Sequence, residues 1–143
     1  MFYFGFKLRK ARLGIIAVLL LLVLTLLFCT SSKGAIKSCY DDADERVNFL
    51  LACGWETEKE YQTKTVTIPE VWSKVYEDYN KLQKSQGYDL SLFKGLTVVQ
   101  YTYTVTNHPS SEVVLAHLLV YDGVIIGGDI MSTAADGFMK GLK

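Results

Sequence analysis

Chemistry in this chain would have to come from a few residues. The sequence has 2 histidines, His108 and His117, and 3 cysteines, Cys29, Cys39 and Cys53. His108 stands beside Pro109 in a run of turn formers (NHPSS), and His117 stands inside an apolar run. Two histidines in different elements make no zinc motif, and neither has the His-Glu-x-x-His spacing that puts two imidazoles on one helix face. Asp129 follows Gly127-Gly128 in a second apolar run. An enzyme or small-ligand site would therefore be built on His117 and Asp129, provided the fold makes them converge in a pocket. Without convergence they are a satisfied strand histidine and a polar strand end. The glycine pair reads as a bulge or a close backbone approach, because no helix N-terminus clearly follows it to cradle a phosphate. Ser110-Ser111 lacks the Gly-x-Ser-x-Gly setting of an activated serine. The run Asp41, Asp42, Asp44, Glu45 lacks the glycine and terminal glutamate of a calcium loop and reads as a solvated helix start. Cys39 and Cys53 flank a predicted helix that would hold their Cα atoms ~15–20 Å apart, beyond the ~7 Å a disulfide tolerates. No P-loop or dinucleotide-binding glycine pattern occurs. The expectation is a non-enzymatic chain with no cofactor, no metal and no catalytic residue.

The elements that would position these residues fall into two parts. The 143 residues carry no net charge, but the neutrality is divided. Residues 1–33 hold Lys7, Arg9, Lys10, Arg12 and Lys33 and no acid, so they carry +5 and the remainder −5. Residues 13–29 (LGIIAVLLLLVLTLLFC) contain no charge. As a helix they span about 26 Å, and a few flanking residues complete the ~30 Å of a hydrocarbon core. The cations directly before this run keep that end in the cytoplasm and send the rest outward. Cleavage of a signal peptide competes with an anchor, but the apolar run exceeds the usual h-region and Ala35 has Lys33 at the −3 position. Both readings place the remainder outside the cytoplasm. The predicted organisation is a basic cytoplasmic segment (1–12), a transmembrane helix in the lipid bilayer (13–30), a linker (31–42) and an extracytoplasmic domain (43–143). Its negative balance disfavours nucleic acid, which needs clustered cations.

The outer part reads as α+β. Asp42 and Glu45 have capping-box spacing, and Ala43, Val47, Leu50, Leu51 and Gly54 form an apolar stripe, which predicts a short helix over 43–53. A smaller strand pair is expected from 55–61 and 64–68. Pro69 suits a first helical position, and Trp72, Val75, Tyr76, Tyr79 and Leu82 recur at helical spacing, predicting an amphipathic helix over 70–86 that ends at Gly87. Alternation marks strands at 96–106, 113–121 and 124–130, the last two joined by the hairpin dipeptide Asp122-Gly123. These three form an antiparallel meander packed on the amphipathic helix.

Register exposes a consequence. If Tyr121 faces Val124 across the turn, Leu118 lies opposite Gly127 and Val120 opposite Ile125. Ala116, Leu118, Val120 and Ile125 then share one face, and Leu115, His117, Leu119, Tyr121, Val124 and Ile126 the other. Both faces are apolar, so each needs a cover. The first helix could cover the former; left bare, it would mark an interaction site.

Several stretches resemble one family together: Arg46-Val47-Asn48-Phe49-Leu50 with Gly54-Trp55-Glu56; Thr67-Ile68-Pro69; Tyr79-Asn80-Lys81-Leu82-Gln83 with Gly87-Tyr88-Asp89-Leu90; Tyr101-Thr102-Tyr103; and Gly127-Gly128-Asp129-Ile130 with Gly137-Phe138-Met139. In that order, across roughly 43–142, the chain resembles uncharacterised membrane-anchored proteins of Gram-positive bacteria that carry a domain of unknown function. The resemblance implies a short membrane segment and one small extracytoplasmic domain, and supplies no activity and no catalytic residues. The function expected is a membrane-tethered module that binds an envelope protein or peptide. It would do so through the Ala116, Leu118, Val120 and Ile125 face or by strand addition at a sheet edge. The alternative is an envelope enzyme or small-ligand binder using His117 and Asp129.

Overall fold

The computed structural model describes residues 40–143. The predicted cytoplasmic segment, the predicted membrane helix and most of the predicted linker lie outside the described residues. Among the described residues no helix is long and apolar enough to cross a membrane.

The first helix, α1 (Ala43–Ala52), starts where the sequence places it, because the Asp42 carboxylate accepts the backbone N–H groups of Asp44 and Glu45 at 2.7 and 3.4 Å. Its end is set by two crossed hydrogen bonds, from Gly54 N–H to Leu51 O and from Trp55 N–H to Leu50 O. The following segment is not a strand pair. It is one strand, β1 (Thr57–Thr67), because Gln62-Thr63 offers no turn chemistry and a β-branched run prolongs the extended backbone, with an irregularity between Thr57 and Tyr61 where its register against the next strand shifts. The amphipathic helix α2 (Lys74–Ser85) begins after Ser73, whose hydroxyl accepts Tyr76 N–H. Pro69 instead opens a turn whose carbonyl accepts the Trp72 indole N–H at 2.8 Å. The same crossed bonds, from Gly87 and Tyr88 to Lys84 and Gln83, close α2 as the sequence predicts. A single 3-10 turn (Leu90–Phe93) interrupts the expected loop.

The meander follows as β2 (Thr97–Val105), β3 (Val114–Tyr121) and β4 (Val124–Ser132), with a two-residue strand β5 (Met139–Lys140) in the tail. Asp122 and Gly123 both take positive φ, the twist a tight hairpin needs. The sheet is antiparallel throughout, in the order β1-β2-β3-β4-β5, so the three-stranded meander is the centre of a five-stranded sheet.

Both faces are covered. Leu50 of α1 packs with Tyr103, Val105, Val114, Ala116, Leu118, Val120, Ile125 and Ile130 on one side. Ile68, Leu90, Val98, Leu119 and Ile126 pack on the other, with Trp72, Tyr76 and Tyr79 over them. The division of β3 and β4 residues between faces is the one the alternation predicts. The register is not. Tyr121 faces Val124 and Val120 faces Ile125, but Leu119 then faces Gly127 and Leu118 faces Gly128. Ile126 is an extra residue in β4, a bulge that shifts everything beyond it by one position.

Candidate functional site: a buried tyrosine–aspartate–histidine cluster and an open sheet edge

The bulge has a chemical result: it sets Asp129 directly across from His117. Without it, Asp129 would oppose Ala116, whose side chain serves the other face. His117 Nδ1 lies 3.0 Å from Asp129 Oδ1, and the Tyr79 hydroxyl of α2 donates to Asp129 Oδ2 at 2.7 Å. Asp129 is buried, and the His117 side chain is 14 % exposed. Burial first, then the Asp129 charge and the hydrogen bond to it, push the Tyr79 phenol far above its ordinary range. Tyr79 is therefore a neutral donor that ties α2 to the sheet. The two residues named from sequence do converge, and a third joins them. A histidine ring oriented by a buried carboxylate is the arrangement of a general base. Among the described residues the ring's hydrogen-bond partner is Asp129, and no hydroxyl or thiol is bonded to its other nitrogen. Among the described residues no group of three or more His, Cys, Asp or Glu is placed to hold a metal ion.

A cleft of about 550 Å³ opens beside the cluster, lined by Val75, Tyr76, Asp78, Tyr79, Leu82 and Met139. Tyr79 is shared between the two; His117 and Asp129 are not among the cleft's walls. The cleft exists because α2 does not turn its most apolar stripe inward. The side chains it buries most deeply are Asn80 and Gln83, and Val75 stays exposed. Asn80 Oδ1 accepts Leu90 N–H at 2.8 Å, and Gln83 Oε1 accepts Gly128 N–H at 2.9 Å. Gln86 Nε2 donates to Gly128 O at 3.1 Å, and its Oε1 accepts Leu142 N–H. Side chains thus take the place of a neighbouring strand at Gly128. A Cβ there would sit 2.5 Å from the His117 carbonyl oxygen and 2.6 Å from Leu142, so the position admits no side chain.

The other sheet edge is different. Among the described residues β1 has one neighbour, β2, and ends the sheet. Over its 11 residues, Glu58 to Thr65 are exposed without interruption. A shallow depression of about 230 Å³ runs beside it, walled by Glu58, Glu60, Gln62, Thr102 and Thr104 among others.

The face expected as an interaction surface is core. Ala116, Leu118, Val120 and Ile125 are 0, 0, 3 and 6 % exposed, because α1, Trp55, Phe138 and Leu142 close over them. His108 is stacked between Trp55 and Phe138, at 6.2 and 5.1 Å between ring centres, and accepts Ser110 N–H. Cys53 is half-buried, and burial raises its thiol pKa against the opposing pull of Lys143. Cys29 and Cys39 lie outside the described residues.

Sequence reasoning missed the role of Arg46, which it named only as the first residue of the stretch Arg46–Leu50. Arg46 is fully buried. Its Nε donates to the Tyr103 hydroxyl at 2.8 Å, and its Nη1 to the carbonyls of Tyr40 and Asp41 at 2.8 and 2.7 Å. The guanidinium lies 3.6 Å from the Tyr101 ring centre and 4.8 Å from that of Tyr61. Ring faces and carbonyl oxygens thus solvate a buried cation. The one available signal was position: Arg46 stands one turn before Leu50, on the helix's inward side.

Comparison with protein families places these features. The Domain of unknown function (DUF4830) matches residues 49–130, more than half of the chain. The chain belongs to that family. The DUF4830 segment runs from within α1 to within β4, so it contains Tyr79, His117, Asp129 and all of β1, and leaves Arg46 and β5 outside. It is shorter than the 43–142 span of the expected resemblance. No curated protein and no solved structure matches the chain.

Proposed function

We propose that this DUF4830 protein is a single-pass, membrane-tethered, non-enzymatic module of the Gram-positive cell envelope. Its outer domain would hold a protein or peptide partner by strand addition at β1. The tether rests on the uncharged run at 13–29 and the cations before it, which orient the chain with its N-terminus in the cytoplasm. The binding mode rests on one observation: with both sheet faces covered and the Gly128 backbone bonded by glutamines, β1 is the long exposed edge of the sheet. An extended segment laid along such an edge gains main-chain hydrogen bonds without any preformed pocket.

Two neighbouring proline variants test the binding mode. Residues 62 and 63 alternate in which way their N–H points, one toward β2 and one outward. Of Gln62→Pro and Thr63→Pro, one should keep the circular-dichroism spectrum and melting temperature of the parent while losing the partner crosslinked in intact cells. Retention of that crosslink by the folded variant would rule out the β1 edge. Protease added to intact spheroplasts tests the topology: the outer domain should be digested before lysis.

The convergence of His117 and Asp129 favours a second reading, a hydrolytic or ligand-binding role for the ring nitrogen that Asp129 leaves unused. In that case hydrolysis of p-nitrophenyl acetate should fall in His117→Ala and not in His108→Ala. Equal rates in both variants would remove this reading.

A further inference from the structure

We infer that the domain seats one end of its sheet on the lipid surface, dipping exposed apolar side chains into the bilayer as a membrane contact additional to the span. The inference rests on the reading of residues 13–29 as an anchor and adds an orientation to it.

The sheet has two unlike ends. At one, β1 finishes at Thr67, β2 starts at Thr97, and β3 turns into β4 through Asp122-Gly123. Tyr40 N–H donates to Gly123 O at 3.0 Å, so the chain enters the domain at this end. The segments before α2 and before β2 meet there too. Ile68 N–H donates to Leu96 O, Gly95 N–H donates to Ile68 O, and Phe93 packs edge-on against Tyr121. Solvent meets mostly aliphatic side chains here: Val71, Leu92, Val124 and Leu96 are 88, 76, 46 and 36 % exposed. Among them the Lys94 ammonium lies 4.3 Å from the Trp72 ring centre. Bare aliphatic groups around an indole and a lysine are the residue set of a membrane interface. The opposite end, between β2 and β3, turns instead through Asn107, Ser110, Ser111 and Glu112.

Reach and charge name the occupant. Ten residues separate Cys29 from Tyr40, at most about 35 Å of extended chain. An anchored domain is therefore held beside lipid at high local concentration, where a patch too weak to capture a free bilayer suffices. Asp42, Asp44 and Glu45 are exposed within a few residues of Tyr40, so anionic headgroups do not draw this end in. The contact is apolar insertion. Seated this way, the domain keeps the β1 edge open along its length.

The test uses the full-length protein in phosphatidylcholine liposomes, with Cys29, Cys39 and Cys53 changed to serine. A polarity-sensitive fluorophore is placed on Val71→Cys, Leu92→Cys or Ser111→Cys, and circular dichroism checks that each variant folds. Flotation in alkaline carbonate reports the anchor, and quenching by brominated phosphatidylcholine reports the contact. Labels at 71 and 92 should shift to the blue and be quenched, and the label at 111 should do neither. Val71→Asp with Leu92→Asp, read from a label on Val124→Cys, should lose the quenching and still float. Phosphatidylglycerol should not strengthen it. Flotation without quenching at 71 and 92 would overturn the inference and leave the anchor standing. Equal quenching at all three sites would overturn it by showing no preferred end. A blue shift that follows protein density rather than brominated lipid would assign the patch to a second copy. Stronger quenching with anionic lipid would replace insertion by charge attraction and overturn the inference. Failure to float would remove the anchor and the inference together.

Discussion

The two faces of the sheet are both apolar, yet the helices that cover them hold on by opposite means. α1 buries Leu50 into an aliphatic cluster and carries Arg46 inward among tyrosine rings. α2 buries an asparagine and a glutamine and leaves Val75 79 % exposed. Apolar burial is non-directional and scales with area, so it fixes that a helix packs more firmly than how it is rotated. Hydrogen bonds need distance and angle, so Asn80, Gln83, Gln86 and Tyr79 set α2 at one rotation against the sheet. That rotation is not the one its apolar periodicity favours.

The comparison can be broken at its strongest point first. Leu50→Ala should cost about 3 kcal/mol in urea unfolding, as an enclosed leucine truncated without room to collapse. A cost under ~1 kcal/mol would mean that α1 is held by Arg46 rather than by its core. Gln83→Leu keeps volume and adds apolar surface, so area alone would make it neutral. It should instead cost about 2 kcal/mol, because Gly128 N–H loses its buried acceptor. Tyr79→Phe should cost about 1 kcal/mol and couple to His117→Ala in a double-mutant cycle, since both bond to Asp129. Additive effects would show that the cluster is not a unit.

The smallest effect sharpens the outer side of α2. Hydrogen bonds from Lys74 and Lys81 hold the Asp78 carboxyl at about 2, below its ordinary 3.8. The folded value is the lower one, so the stabilisation is present above pH 3.8 and is lost as the pH falls toward 2. The urea midpoint should drop through that window, and Asp78→Asn should flatten the drop slightly, Asp78 being exposed.

Much of the scaffold was legible because local chemistry decides it. Asp42 and Gly54 bound α1, Gly87 ends α2, Asp122-Gly123 turns β3 into β4, and alternation assigns residues to faces. Three features were not legible, each because a distant group overrides a local rule. Pro69 looked like a helix start until the Ser73 hydroxyl took the cap. The strand pair was predicted without a partner for 57–67, yet β2, thirty residues on in sequence, draws it into one strand. The bulge at Ile126 is invisible to a count of alternating residues, and with it the site. His117 and Asp129 were named singly, but their opposition depends on that one inserted residue, and Tyr79 looked like helix core. Arg46 and Gln83 were missed for a common reason: a polar residue's burial is decided by partners that periodicity does not contain.

Arg46 also bears on how a pull on the chain ahead of Tyr40 would enter this domain. Its Nη1 holds the carbonyls of Tyr40 and Asp41, and Tyr40 N–H is bonded to Gly123 O at the tip of the β3–β4 hairpin. Tension applied ahead of Tyr40 is therefore shared among several bonds anchored in the sheet before it reaches the first turn of α1. Bonds loaded together must break together, so the domain would resist a steady pull better than a helix left to fray from its own end.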